Sequence, residues 1–321
     1  MPLPIKPLLG FLSDNLTKRR SIMPMPSRKT TQWAAGLDIP AGGKTVLYTG
    51  LMYQIIPTLT SSEKTMSLIQ DSWMGQLFPF GRMINKFVNL SSFIPPADQE
   101  EQKRYDRYLR NIVRLLRAAG VTELGYLYGN ELYAGALVRD LGVDEAFERH
   151  AHKVHKMLEM QGVKRVITVD PHTTDMLKNV YPKLVRGYNL EVKSYLEVLR
   201  EKGVQPKNRL ESAAVIHDSC VYARYLDMIE EPRRLLERAG VMTRDPEFSG
   251  RMTFCCGGPV ESLFPYRASE IAGRRIEQLA DAGNDVVTMC PICLHNLEKA
   301  AQGNGISVKD ISELLLQAYG G

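Results

Sequence analysis

Apolar residues recur along this chain in two alternating registers. Short continuous runs read as buried strands: Thr45-Val46-Leu47-Tyr48-Thr49-Gly50, residues 124–128, residues 163–169, Ala213-Ala214-Val215-Ile216-His217 and residues 285–289. Between them, apolar positions fall at helical spacing. Tyr105, Leu109, Ile112, Val113 and Leu116 mark a helix over 100–119 that ends at Gly120. Further helices are expected over 143–161, 232–239 and 266–282. Strands that alternate with helices predict parallel βαβ units and an α/β fold.

The order recurs, and so do details. Arg117-Ala118-Ala119-Gly120-Val121 matches Glu237-Arg238-Ala239-Gly240-Val241, and Thr168-Val169-Asp170-Pro171 matches Thr288-Met289-Cys290-Pro291. Val192-Lys193-Ser194-Tyr195-Leu196 likewise answers Val308-Lys309-Asp310-Ile311-Ser312. This predicts two duplicated Rossmann-like α/β units packed about a pseudo-twofold, with loops of each facing a common cleft. The expected division is a basic leader or docking arm over 1–43, a first unit over 44–205 and a second over 206–321. Residues 70–96 break the pattern. They hold Trp73, Met74, Phe78, Phe80, Met83, Phe87, Phe93 and Ile94, an insertion that packs on the core or an apolar partner surface.

Composition narrows the class. With 44% hydrophobic and 24% charged residues in 321, the chain is that of a globular protein. No run approaches the roughly 18 apolar residues of a bilayer span, and no secretory signal is evident, so a cytoplasmic location is expected. The net charge is +5, and residues 1–30 account for all of it, with Lys6, Lys18, Arg19, Arg20, Arg28 and Lys29 against Asp14. A neutral body argues against nucleic acid as partner. The arm is a solvated leader, or a docking segment for an acidic partner or a membrane surface.

The five cysteines are Cys220, Cys255, Cys256, Cys290 and Cys293, all in the last third of the chain. Each group follows an expected strand end, where open α/β sheets place their ligand sites. An odd number in a reducing compartment argues against a disulfide framework. All-thiolate ligation selects zinc or an iron–sulfur cluster; tetrahedral zinc would leave one cysteine over. Buried unligated thiols are the remaining alternative. His150, His152 and His155 lie on one expected helix and read as a solvated polar face. His217 and His295 flank cysteine positions, where a hydrogen bond to a ligand sulfur or plain packing is expected. Asp170 and His172 are either a proton-donor pair or a turn.

The spacing C-x34-C-C-G-x32-C-x-x-C, with His217-Asp218-Ser219-Cys220, Phe254-Cys255-Cys256-Gly257-Gly258 and Cys290-Pro291-Ile292-Cys293-Leu294 around it, resembles the cysteine-rich CCG domain. That domain occurs in the B-type subunit of heterodisulfide reductase and in related iron–sulfur oxidoreductases. Ser219 stands where the family usually has proline. The resemblance implies that all five cysteines hold one non-cubane [4Fe–4S] cluster. It also implies an oxidoreductase subunit that works in a complex and passes electrons to or from a disulfide, persulfide or other sulfur-bearing small molecule or carrier. A ferredoxin-like iron–sulfur subunit and a flavoprotein subunit are the partners it suggests. The first half departs from the pattern: Leu51, Leu127-Tyr128-Gly129 and Asp170-Pro171-His172-Thr173 stand where a first motif is expected. A single cluster is therefore expected, facing a cleft lined by Tyr126, Tyr128, Asn130, Tyr133, Asp170 and His172, with Asp170 and His172 as candidate catalytic residues. Two alternatives are an electron-transfer subunit of a glycolate, lactate, glycerol-3-phosphate or succinate dehydrogenase feeding quinone, and a zinc-binding assembly scaffold.

Overall fold

A computed structural model describes residues 5–70, 83–85, 89 and 95–320. Most of the apolar segment 70–96, including Trp73, Met74, Phe78, Phe80, Phe87, Phe93 and Ile94, lies outside the described residues. The rest is α/β and contains two four-stranded, wholly parallel sheets. The first comprises β1 (Thr45–Tyr48), β2 (Gly125–Tyr126), β3 (Arg165–Thr168) and β4 (Glu191–Ser194); the second comprises β5 (Ser212–His217), β6 (Val241–Arg244), β7 (Asp285–Thr288) and β8 (Ser307–Asp310). Spatial order is β2-β1-β3-β4 in one and β6-β5-β7-β8 in the other, so each sheet places its second strand outside its first.

Side chains of a strand alternate between faces, and the first sheet uses both. Val46, Tyr48 and Val166 enter a core under the first half, while Leu47 and Ile167 enter a larger core shared with the second half. Val215, Ile276, Leu294 and Leu315 belong to that shared core. The halves are also joined by two buried hydrogen bonds. Tyr53, on the helix Met52–Gln70 that follows β1, donates to Asp310 at 2.8 Å, at the end of β8. Tyr222, on the helix Cys220–Tyr225 that follows β5, lies 2.8 Å from the Ser194 hydroxyl at the end of β4. Each half thus sends one tyrosine to the helix N-cap after the other half's last strand.

Helix boundaries follow local chemistry. Asp98 caps Gln99–Ala118 by accepting from the Glu100 and Glu101 amides, and Ser194 with Glu197 forms a capping box before Tyr195–Glu201. The basic N-terminal segment is packed along the fold. Its helix Ile5–Arg19 buries Leu8, Leu12 and Leu16 against the first half's core, beside the helix Asp144–Met160. Leu16 is fully buried. We expect Leu16→Ala to lower stability by about 2–4 kcal/mol, read as an earlier urea midpoint. An unchanged midpoint would show that this helix contributes nothing to the fold. Among the described residues no helix is long and apolar enough to cross a membrane.

Candidate metal centre

The cysteines reach one place from three loops at the same end of the second sheet. Cys220 opens the helix that follows β5, and Cys290 is the N-cap of Pro291–Ala301, which follows β7. Cys255 and Cys256 arrive on the loop after β6. They turn inward through Gly257, at φ +85°, which begins the helix Gly258–Glu261. A Cβ on Gly257 would lie 2.5 Å from the Ala268 carbonyl oxygen, so only glycine fits there. Cys256, Cys290 and Cys293 are buried; Cys220 and Cys255 are half-buried and mark the open side.

Thiol contacts run in one chain: Cys220 to Cys255, Cys255 to Cys256, Cys256 to Cys293, and Cys293 to Cys290. Hydrogen bonds from Cys220 and Cys256 hold the Cys255 thiol well below its ordinary range. Burial pushes Cys290 up, but hydrogen bonds from Cys293 and His172 outweigh it and favour the thiolate. Cys220 and Cys256 are pushed up chiefly by their hydrogen bonds to Cys255, and Cys293 by its bonds to Cys256 and Cys290. Adjacent thiols that cannot all ionise alone will release protons when metal arrives. Among the described residues the one compact ligand group is His217, Cys256 and Cys293, whose ligand atoms lie within 4.8 Å of one another. The other three sulfurs lie outside that group, so one mononuclear ion does not take the full set. Five soft donors spread over more than one ion's reach fit a thiolate-bound polynuclear cluster better than zinc.

Residues 214–298 match the family profile described as a cysteine-rich domain, CCG. This part of the chain is a CCG cysteine-rich domain. Similarity over a longer span points the same way. The chain is 31% identical over 233 residues to the EtfAB:quinone oxidoreductase of Syntrophomonas wolfei, covering 67% of this chain and 32% of that protein. It is 31% identical over 220 residues to the probable iron-sulfur-binding oxidoreductase FadF of Bacillus subtilis, covering 65% and 31%. It is 28% identical over 223 residues to the D-type subunit of the dihydromethanophenazine:CoB–CoM heterodisulfide reductase of Methanosarcina acetivorans, covering 64% and 54%. The chain thus spans about a third of the first two relatives and about half of the third.

The first half brings two of the expected residues to the CCG domain. Asp170 is buried and caps Pro171–Asp175 by accepting from the Thr173 amide. His172, on the same turn, hydrogen-bonds Cys290, and its Nδ1 lies 3.8 Å from Asp140. Burial alone would push His172 down; the Cys290 contact and the charges of Cys290, Asp140 and Asp170 raise it to about 9. Burial raises Asp170 to about 6. Other members of the expected cleft point elsewhere. The Tyr126 hydroxyl accepts from Trp33, and the Tyr128 hydroxyl donates to the Ile39 carbonyl, so both serve the packed N-terminal segment. Leu51 and Leu127 are buried in the first half's core.

Two expectations change, those for His150 and for the first half's motif, and His295 takes its packing alternative. His150 is buried, with Nε2 2.6 Å from the Tyr133 carbonyl, and is no part of a solvated face; His155 stacks beside Tyr188. His295 lies one helix turn past Cys290 and meets Thr60 and Glu261. The alignment of Leu127-Tyr128-Gly129 with Cys255-Cys256-Gly257 does not fit the backbone. Gly129 lies inside a 3-10 turn, Tyr128–Asn130. Gly135, at φ +87°, begins the short helix Ala136–Asp140 just as Gly257 begins its own. A Cβ on Gly135 would press on Phe147, fourth residue of the next helix, as one on Gly257 would press on Ala268, also fourth in its helix. Tyr133-Ala134-Gly135 thus shares with Cys255-Cys256-Gly257 a left-handed glycine at a helix start, pressed on the fourth residue of the next helix.

Sequence reasoning missed two buried ionisable residues. Arg275 is fully buried behind the cysteines, and its Nε donates to His217 Nδ1 at 3.1 Å. Its signal was a charge on the apolar stripe Ala268, Ala272, Ile276 and Leu279 of Pro265–Ala280. Glu131 is buried in the first half and receives the Thr49 amide and hydroxyl and the Gly50 amide. A lone glutamate in a loop carries no comparable signal.

Proposed function

We propose that this chain is a one-cluster iron–sulfur redox module, similar to the B-type subunit of heterodisulfide reductase, that relays single electrons within a larger oxidoreductase. The carrying observation is the convergence of five cysteines in one half only. Three features support two duplicated units packed about a pseudo-twofold: the shared strand order, the reciprocal tyrosine bonds, and the matched glycines Gly135 and Gly257. Under that correspondence Leu51, Tyr133, Ala134, Asp170 and Thr173 occupy the positions of Cys220, Cys255, Cys256, Cys290 and Cys293. That set offers no thiolate, so a second cluster, and a disulfide split between two clusters, are not part of this reading.

Cys220, Cys255, Cys256, Cys290 and Cys293 would hold the group, which we take to be the non-cubane [4Fe–4S] type. Bound there, it supplies a one-electron carrier. The chain's own residues set access and charge. Cys256, Cys290 and Cys293 lie in the dry interior, and Cys220 and Cys255 face the side from which a partner or substrate approaches. His172 donates from the opposite half to Cys290, which favours the anionic ligand. The relative named an EtfAB:quinone oxidoreductase favours a relay toward quinone; a flavoprotein and a ferredoxin-like feeder are the partner classes of this reading. A second reading, reduction of a sulfur-bearing substrate, rests on the half-exposed Cys220 and Cys255 with His172 as proton donor.

Anaerobic reconstitution should give about four irons and four sulfides per chain, from one site. About eight irons would mean that the first half also binds a cluster, and zinc without iron would leave the scaffold reading. Rapid mixing of the reduced protein separates the two redox readings. Oxidation by a soluble quinone but not by a small disulfide supports the relay, and the reverse supports the sulfur reductase.

A further inference from the structure

Arg275 is the one fully buried guanidinium among the described residues. Its hydrogen bonds all go to neutral groups: Nε to His217 Nδ1 at 3.1 Å, Nη1 to Gln278 Oε1 at 3.0 Å, and Nη2 to Thr253 Oγ1 at 3.5 Å. The neighbouring buried carboxylate, Asp218, is engaged by both nitrogens of Arg233 and by the Gly250 amide. A buried cation with no hydrogen-bonded carboxylate is tolerated only where another anion lies close. The charges that favour the Arg275 guanidinium are Asp218 first and then the Cys293 and Cys256 sulfurs, which become anionic when they ligate a metal.

The bond to His217 also fixes a proton. A guanidinium only donates, so His217 Nδ1 must present its lone pair. The ring is then neutral and carries its proton on Nε2, which is buried and has no partner within the protein. A ring nitrogen of His217 lies within 4.8 Å of both Cys256 Sγ and Cys293 Sγ. Nδ1 is taken, so Nε2–H is the one donor left on a ring that lies beside those two sulfurs.

The other half carries neither group. The register that sets Phe147 against Ala268 sets Val154 against Arg275, and the end of β1 sets Tyr48 against His217. Val154 and Tyr48 belong to the apolar core there. The arginine–histidine pair is thus present in the half with cysteines and replaced in the half without them.

We infer that Arg275 is a positioning residue of the cysteine site: it locks His217 as an Nε2–H donor to ligand sulfur and holds a buried positive charge against the thiolate-bound group. This inference rests on the one-cluster reading. Reduction adds negative charge beside that cation, so the pair should favour the reduced state.

The test uses the full chain, iron-loaded under anaerobic conditions. Arg275→Met should lower the midpoint potential of the bound cluster and change its electron paramagnetic resonance signature. Arg275→Lys keeps the charge and should keep the potential near that of the unsubstituted protein. Nitrogen-15 NMR of the unsubstituted metal-free protein should show His217 protonated on Nε2. An iron-loaded Arg275→Met with an unshifted potential, a lysine variant shifted as far as methionine, or a His217 protonated on Nδ1 would overturn the assignment. If Arg275→Met does not fold, the lysine variant and the His217 tautomer decide it. An unsubstituted protein that takes up no iron would overturn the one-cluster reading itself.

Discussion

Replacing Cys290 by alanine should reduce the iron content of the anaerobically reconstituted protein to less than about a tenth. Cys290 is fully buried, ends the chain of thiol contacts, and is held as thiolate by Cys293 and by His172 from the opposite half. No other soft donor among the described residues can take its place. Ligation by all five cysteines would join the loops after β5, β6 and β7, so metal binding would also be folding free energy for that end of the sheet. After the same reconstitution the variant should therefore melt near the metal-free protein and well below the iron-loaded one. The metal-free variant itself should lose only about 1 kcal/mol, the scale of one small buried group. Asp170→Asn is the matched control, since Asp170 caps a helix and binds no sulfur; it should load iron normally. A Cys290→Ala protein with full iron and unchanged melting would remove Cys290 from the ligand set.

The second half was legible in the sequence because its chemistry is rare and local. Five cysteines clustered after apolar runs, with Gly257 behind the pair and Pro291 after Cys290, announce converging strand-end loops. The strands of the first half were equally plain, since Val46-Leu47-Tyr48 and Val166-Ile167-Thr168 are continuous buried runs. β4 and β8 were harder to read. Glu191-Val192-Lys193-Ser194 and Ser307-Val308-Lys309-Asp310 each hold one apolar residue in four, which is too little to separate from loop. Under the correspondence proposed above, Gly135 and not Gly129 answers Gly257, and the sequence hides this for a physical reason. With no cysteine in the first half, only a glycine marks the position, and Gly129 precedes Gly135 by six residues. What distinguishes them is a left-handed φ at a helix start and contact with Phe147, and neither is written in local composition. Arg275 and Glu131 were missed because their roles depend on tertiary burial.

Glu131 should lower stability as pH rises from about 4.5 to about 7, against His150 and His217, which burial lowers to about 4 and about 3 and which therefore add stability as pH rises toward 6.5. The carboxyl is fully buried, and desolvation raises it to about 7 against hydrogen bonds from Thr49, Tyr126 and Gly50, which lower it. A carboxyl raised in the folded state stabilises the fold while both states are protonated, below about 4.5, and loses that contribution as pH climbs through its folded value. A shift of that size corresponds to about 3 kcal/mol across the window. Asp310, raised to about 6 by burial, acts in the same direction over a lower range, so the slope has more than one source. Glu131→Gln keeps the carbonyl acceptor for the Thr49 and Gly50 amides and cannot ionise. It should match the unsubstituted protein near pH 5 and exceed its melting temperature near pH 8. Glu131→Ala should lose stability at every pH, by about 3 kcal/mol, because it leaves the Thr49 and Gly50 amides buried without an acceptor. Melting curves at pH 5, 6.5 and 8 for the three proteins make the comparison. A glutamine variant with the same pH slope as the unsubstituted protein would assign that slope to other groups, and leave Glu131 as a bridge between the end of β1 and the loop after β2.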